Sequence, residues 1–178
     1  MPADDAVRLR AASVEDAAAI ASVHLESRRT AYQDLLPAAE LEVTEATVAR
    51  FTSEWRERLD DAPARLVLVL ETALGEVVGF AAAGWNEPAG ELPCELYSLY
   101  LLAAAQRRGG GRRLLEATLE HFRGQGAPSL GVWVFARNPA CGFYEAMGGE
   151  RTGNRTLVLG GVELEEVAYT WRLRQALD

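Results

Sequence analysis

The sequence predicts an α/β fold with a mixed, mainly antiparallel sheet, and three features predict it. Apolar residues recur at three- or four-residue spacing in four segments and form strand-like runs in seven others. Two pairs of strand-like runs are joined by tight glycine turns. In the second half, two strand–helix–strand steps permit local parallel pairing. The 178 residues suit a single domain, 1–178. A chain of this size hides roughly 70% of its unfolded surface and needs no disulfide or metal staple.

The elements follow in chain order. Val7 and Leu9 alternate in a first strand, residues 7–10. Ser13, three residues before Asp16, makes a capping-box-like start for a helix over 16–32, with Ile20, Val23 and Ser27/Ala31 near one face. Leu35-Leu36-Pro37 ends it. Residues 44–59 form a second helix whose Val48, Phe51, Trp55 and Leu59 make a stripe that packs on a sheet. After Pro63, residues 65–71 and 77–85 read as a hairpin around Leu74-Gly75. Residues 86–93 are a loop and 94–101 a strand. The cluster at 109–111 opens a helix over 112–123, stopped by Gly124 and Gly126. Residues 130–135 are a strand. Asn138-Pro139 starts a short helix that ends near Met147. Residues 156–159 and 162–171 flank Gly160-Gly161, a second hairpin.

Composition narrows the function classes. Apolar residues at 49% and charged residues at 25% exclude disorder. No secretory leader and no apolar run of membrane-spanning length appear, so a cytoplasmic location is expected. Two cysteines, Cys94 and Cys141, without ligand spacing fit a reducing compartment and predict no metal. The net charge of −8 disfavours nucleic acid and anionic membrane as partners. All 18 basic residues are arginine, so no lysine of its own is open to acylation. The tract Arg107-Arg-Gly-Gly-Gly-Arg-Arg113 resembles an RNA-binding arginine–glycine segment. It is single, lies between strand and helix, and sits in an acidic chain, so RNA is not the expected ligand.

That tract carries the chemistry. A strand, Glu95-Leu-Tyr-Ser-Leu-Tyr-Leu101, feeds Gln106-Arg-Arg-Gly-Gly-Gly-Arg-Arg113 and then a helix. Glycines admit a ligand close to the backbone, and a helix start offers unpaired N–H donors and partial positive charge. This is an anion site, most naturally for phosphate. Arg107, Arg108, Arg112 and Arg113 add charge. A P-loop requires a Gly-Lys-Ser/Thr ending that a lysine-free chain cannot supply. A dinucleotide fingerprint requires glycine or alanine where Leu114 stands.

A third occupant follows from a resemblance. Gln106-x-x-Gly109-x-Gly111 resembles the Gln/Arg-x-x-Gly-x-Gly/Ala signature of the GCN5-related N-acetyltransferases. Asn138-Pro-Ala-Cys-Gly-Phe-Tyr-Glu-Ala-Met-Gly148 is similar to their Asn-x-x-Ala-x-x-Phe-Tyr-x-x-x-Gly-Phe element, with Cys141-Gly142 in place of alanine and a variable residue, and Gly149 replacing the final phenylalanine. The opening residues 7–16 and Tyr32-Gln-Asp-Leu-Leu-Pro37 also resemble stretches of that family.

The resemblance implies a seven-stranded sheet flanked by about four helices and splayed between the fourth and fifth strands. It implies acetyl-CoA as co-substrate and a primary amine as acceptor, joined by direct attack in a ternary complex. The pantetheine arm would lie beside Leu99, Tyr100 and Leu101. The diphosphate would rest on Gln106, Arg107, Arg108, Gly109, Gly110, Gly111 and Arg112, and Asn138 would contact CoA or cap its helix. Tyr144 would protonate the departing thiolate. Glu95 is the expected general base, with His24 a second candidate and His121 on the surface. Tyr32, Asp34, Trp85 and Asn86 are placed near the acceptor by topology. Arg28 stands where similar sequences often carry an aromatic residue. Neither cysteine has a histidine arrangement for nucleophilic catalysis, so no acyl-enzyme is expected. A homodimer is common in such proteins, and the strand 162–171 is the expected edge for it. The rival expectation is a CoA-binding regulatory or interaction module of the same fold without catalysis.

Overall fold

The computed structural model describes residues 7–60, 65–86 and 92–173. Pro63 and residues 87–91 of the 86–93 loop lie outside them. The elements are β1 (Arg8–Ala11), α1 (Ala17–Tyr32), α2 (Glu45–Asp60), β2 (Arg65–Glu71), β3 (Val77–Trp85), β4 (Cys94–Leu101), α3 (Gly110–Gly124), β5 (Ser129–Phe135), α4 (Ala140–Ala146), β6 (Glu150–Leu159) and β7 (Val162–Arg172), with short 3-10 turns between some of them.

The chain enters this fold through Arg10. Its guanidinium donates to Asp16 at 2.7 and 2.8 Å and to Glu71 at 2.8 and 3.2 Å. Asp16 also accepts the Ser13 N–H at 2.8 Å, so one carboxylate starts the first helical turn and ties it to β1. Along α1, Ile20, Val23 and Ser27 are buried. Ser27 tolerates burial because its hydroxyl donates to the Leu101 carbonyl at 3.2 Å. Along α2, Phe51, Trp55 and Leu59 are buried as expected, but Val48 is exposed, one turn short of the contact with the sheet.

The seven strands run in the order β1-β2-β3-β4-β5-β7-β6. Helices α1 and α2 cover one face through Phe80, Val69 and Val67; α3 and α4 cover the other through Leu96, Leu115, Leu130 and Tyr144. All pairings are antiparallel except β4 with β5. That parallel pair meets at a single register point, Glu95 opposite Gly131, and the two strands diverge beyond it. The splay implied by the resemblance is therefore present.

Two expectations are corrected. The strand before the Gly160-Gly161 turn begins at Glu150, not 156, because β6 pairs with β7 along its full length. The strand 162–171 is not an edge: β7 lies between β5 and β6, which leaves β1 and β6 as the edges of the sheet.

Candidate active site

The divergence of β4 from β5 strips one side of β4 of strand partners. The Leu102 N–H bonds back to Val78 on the β3 side. The two-residue period of a strand then turns the N–H and C=O groups of Leu99 and Leu101 towards the gap, and those of Tyr100 towards β3. The Leu101 carbonyl is already taken, by Ser27 and by the Gln106 side-chain amide at 3.0 Å. What β4 offers an incoming chain is thus the Leu99 pair and the Leu101 N–H. Tyr100 turns its backbone groups to β3 and its side chain into the cleft wall.

Gln106 fastens the strand end to the glycine turn, and the turn opens α3. Gly109 has φ +81°, a left-handed conformation that suits glycine. A Cβ on Gly110 would lie 2.9 Å from both Leu101 Cδ2 and Leu70 Cδ1, so the helix start is seated directly on the core. No backbone or side-chain acceptor among the described residues takes the N–H of any residue from 107 to 112; Arg113 is the first to close, on the Gly109 carbonyl at 3.0 Å. Six successive amides are left for a ligand. The Arg113 guanidinium is committed to the Val7 carbonyl at 2.7 Å, and Arg112 pairs with Glu116 at 2.7 Å on the surface.

Across the gap stands α4. Tyr144 is buried against Phe143, Tyr169 and Trp171. Its hydroxyl takes no hydrogen bond among the described residues, yet no buried polar atom is sealed away without a partner, so the hydroxyl must reach open space. Burial raises its pKa and keeps it a protonated donor at neutral pH. Asn138 accepts the Ala140 N–H at 2.9 Å and so starts α4.

On the α1/α2 face the gap widens into a cleft of about 460 Å³. Its walls include Tyr97, Ser98 and Tyr100 from β4, Trp133 and Phe135 from β5, and His24, Arg28 and Tyr32 from α1. The Tyr32 and Tyr100 hydroxyls bond across it at 2.9 Å, and burial raises both pKa values. His24 Nδ1 accepts the Trp55 indole N–H at 3.2 Å, which leaves the ring proton on Nε2. Burial first, then Arg28 and Arg58, lower its pKa to about 3. A neutral imidazole with its acceptor nitrogen occupied has no site left to take a proton.

The other expected residues fall elsewhere. Glu95 lies at the closed end of the β4–β5 pair, accepts a hydrogen bond from Asn86 Nδ2 at 3.0 Å, and is not among the cleft walls. Asn86 also accepts the Tyr97 hydroxyl at 3.1 Å. Trp85 is on the opposite sheet face, against Phe122 and bonded to Gln125. Asp34 and His121 are exposed. The carboxylate that does line the cleft is Glu166 of β7, 8% exposed and bonded to Arg155 at 2.7 Å. Sequence reasoning missed it. The signal was a glutamate in register with Leu164 and Ala168 on the inward face of a strand. No group of three His, Cys, Asp or Glu side chains among the described residues stands close enough to hold a metal.

Comparison with known proteins places this geometry. The model of the acetyltransferase (GNAT) family matches residues 28–149. The chain is 36% identical, over 93% of its length and 92% of the relative's, to YuaI of Bacillus subtilis (strain 168), an uncharacterized N-acetyltransferase. Among solved structures it resembles ribosomal-protein-alanine N-acetyltransferase from Brucella melitensis, at 26% identity and TM-score 0.71 over 93% of this chain and 99% of that one. It also resembles yncA from Salmonella typhimurium, a proposed acetyltransferase solved with its cofactor acetyl-CoA, at 22% identity and TM-score 0.71 over 97% and 96% of the two chains. With a split sheet, a glycine turn opening a helix, and a family match that spans both, the chain belongs to the GNAT family of acetyltransferases.

Proposed function

We propose that this protein transfers the acetyl group of acetyl-CoA to a primary amine, by direct attack within a ternary complex. The observation that carries the reading is the run of six uncommitted amides at residues 107–112, set at the end of a strand whose partner has peeled away. A diphosphate satisfies such donors, and a pantetheine arm with two amides satisfies Leu99 and Leu101. Gln106, Gly109, Gly110 and Gly111 shape this seat. Arg107 and Arg108 supply charge at its rim, with Arg112 beside them sharing its charge with Glu116.

The amine nitrogen attacks the thioester carbonyl carbon and the carbon–sulfur bond breaks. The proton lost by the amine leaves to the cleft, and one proton ends on the CoA sulfur. A β4 N–H, that of Leu101, donates to the carbonyl oxygen as negative charge grows there. Tyr144 donates to the departing sulfur. A thiol ionises near pH ~8.5, so the sulfur is a competent leaving group and the phenol gives moderate rather than decisive help. For the amine's proton, Glu166 is the carboxylate in the cleft, while Glu95 fixes Asn86 and Tyr97 at its closed end.

The test is thiol release from acetyl-CoA with a broad amine panel, followed by initial-rate kinetics with both substrates varied. Intersecting double-reciprocal lines are expected; parallel lines would indicate an acyl-enzyme and refute direct attack. CoA binding with no thiol release from any amine would instead establish a non-catalytic module. Glu166→Gln is expected to lose activity most steeply below the acceptor's pKa, where deprotonation limits the rate. An equal loss in Glu95→Gln only would return the base role to Glu95.

A further inference from the structure

The charge of the acceptor cleft opposes that of the chain. The protein carries a net −8, yet the ionised side chains that line the cleft are Arg28, Arg58, Arg65 and Glu166. Glu166, the single acid among them, is shared with Arg155 at 2.7 Å, so the arginines outweigh it. Arg58 shares Glu54 at a long 3.5 Å and lies over the Trp55 ring. Arg65 lies over the Tyr97 ring at 5.5 Å. Neither Arg28 nor Arg65 has a carboxylate partner among the described residues.

Arg28 is the telling member. It is half-buried, on the inner side of α1, and its charge reaches His24, Tyr32 and Tyr100. A half-buried guanidinium that forms no ion pair with a carboxylate keeps its donors open to an anion entering the cleft. A ligand anion would supply the counter-ion that the protein does not place there. Arginine also matches a carboxylate with two parallel hydrogen bonds, a geometry a lone ammonium group on the ligand cannot use. A polyamine or a lysine side chain would enter against this charge.

Charges of both signs line the cleft beside the Tyr32 phenol. Arg28 and Glu166 both act on Tyr32, from opposite signs. A ligand bearing both an amine and an anion can turn its anion to Arg28 and its ammonium to Glu166 within that one cleft.

We propose that the acceptor is an amino-carboxylate, a free amino acid or close analogue, whose carboxylate is held by Arg28, with the positive charge of Arg65 in the same cleft. This rests on the acetyltransferase reading and names the substrate class for it. The aromatic walls, Tyr97, Trp133 and Phe135, then face the rest of the acceptor.

The experiment measures thiol release with the twenty proteinogenic L-amino acids, their α-amides, and a set of polyamines and lysine peptides. Free acids are expected to outperform their own amides by about tenfold or more in kcat/KM, the effect of a charge-assisted bidentate contact. Arg28→Gln is expected to collapse that acid-to-amide ratio towards one, and Arg28→Lys to restore part of it. The ratio is internal to each protein, so a general loss of fold does not mimic it. Amides, polyamines or peptides turning over as fast as the acids would overturn this inference and leave the acetyltransferase reading standing. An Arg28→Gln variant with an unchanged ratio would do the same. No release from any acceptor would overturn both.

Discussion

Acidification should expose His24 as a liability of the fold, and the size of the effect follows from its surroundings. The ring stacks on Tyr100 at 5.0 Å, meets Phe51 and Phe80 edge-on, and accepts the Trp55 N–H. Its pKa in the folded protein is about 3, against an ordinary 6.5. Folded protein therefore stays unprotonated at His24 while unfolded chain takes up a proton. The stabilising difference is complete above pH ~6.5, where both states are neutral, and is lost progressively as pH falls from there towards 3. At pH 5 the solution is about 1.5 pH units below the unfolded pKa, at roughly 1.36 kcal/mol each, so about 2 kcal/mol is lost. For a domain of this size that lowers Tm by roughly 4–8 °C. The perturbation is His24→Gln, whose amide oxygen can still accept the Trp55 N–H. The assay is Tm by calorimetry at pH 7.5 and pH 5 for both proteins. Wild type should fall further than the variant by about 4–8 °C, because all other titrating groups are common to the two. Parallel falls would refute the reasoning and mean that His24 ionises freely in the folded state.

Three further outcomes are expected. Tyr144→Phe should lower kcat by about tenfold or somewhat more and leave KM for acetyl-CoA nearly unchanged, since in the proposed mechanism the hydroxyl meets sulfur only as it departs; steady-state kinetics reads the split. Gly110→Val should cost about 1–3 kcal/mol, because its Cβ falls against Leu101 and Leu70, and should weaken CoA binding by displacing the amide run; thermal melts and calorimetric titration read the two effects. Asp16→Asn should lower Tm at neutral pH, because Arg10 and the Ser13 N–H hold its carboxylate below the usual range. That deficit is present above the ordinary carboxylate pKa and should shrink as pH falls below about 4, when wild type loses the same charge.

Most of the fold was legible because its elements carry strong local signals. The β2–β3 hairpin and β4 have the expected bounds, since continuous apolar runs between turn residues leave little freedom. The glycine turn was legible as a helix start with unpaired amides because that feature is local to residues 106–113. What escaped reading was long-range. The true length of β6 depends on pairing with β7, and the exposed, polar residues 150–155 show no strand periodicity of their own. The interior place of β7 depends on strand order, which no local pattern encodes. The same holds for the cleft: Tyr97 faces it because a bulge interrupts the β3–β4 register between Ala82 and Ala83, and Glu166 reaches it only once β7 lies beside β5. In the second motif, Asn138 stands five residues before Phe143, one fewer than in the family element. Its side chain is engaged in starting α4.

The central claim, that coenzyme A seats its diphosphate on the amides of the glycine turn, is tested most directly by titrating isotope-labelled protein with acetyl-CoA and following backbone N–H resonances. Signals from residues 107–112, with Leu99 and Leu101, should shift together along one binding isotherm. Saturable binding that leaves those resonances in place, or no binding at all, would contradict it.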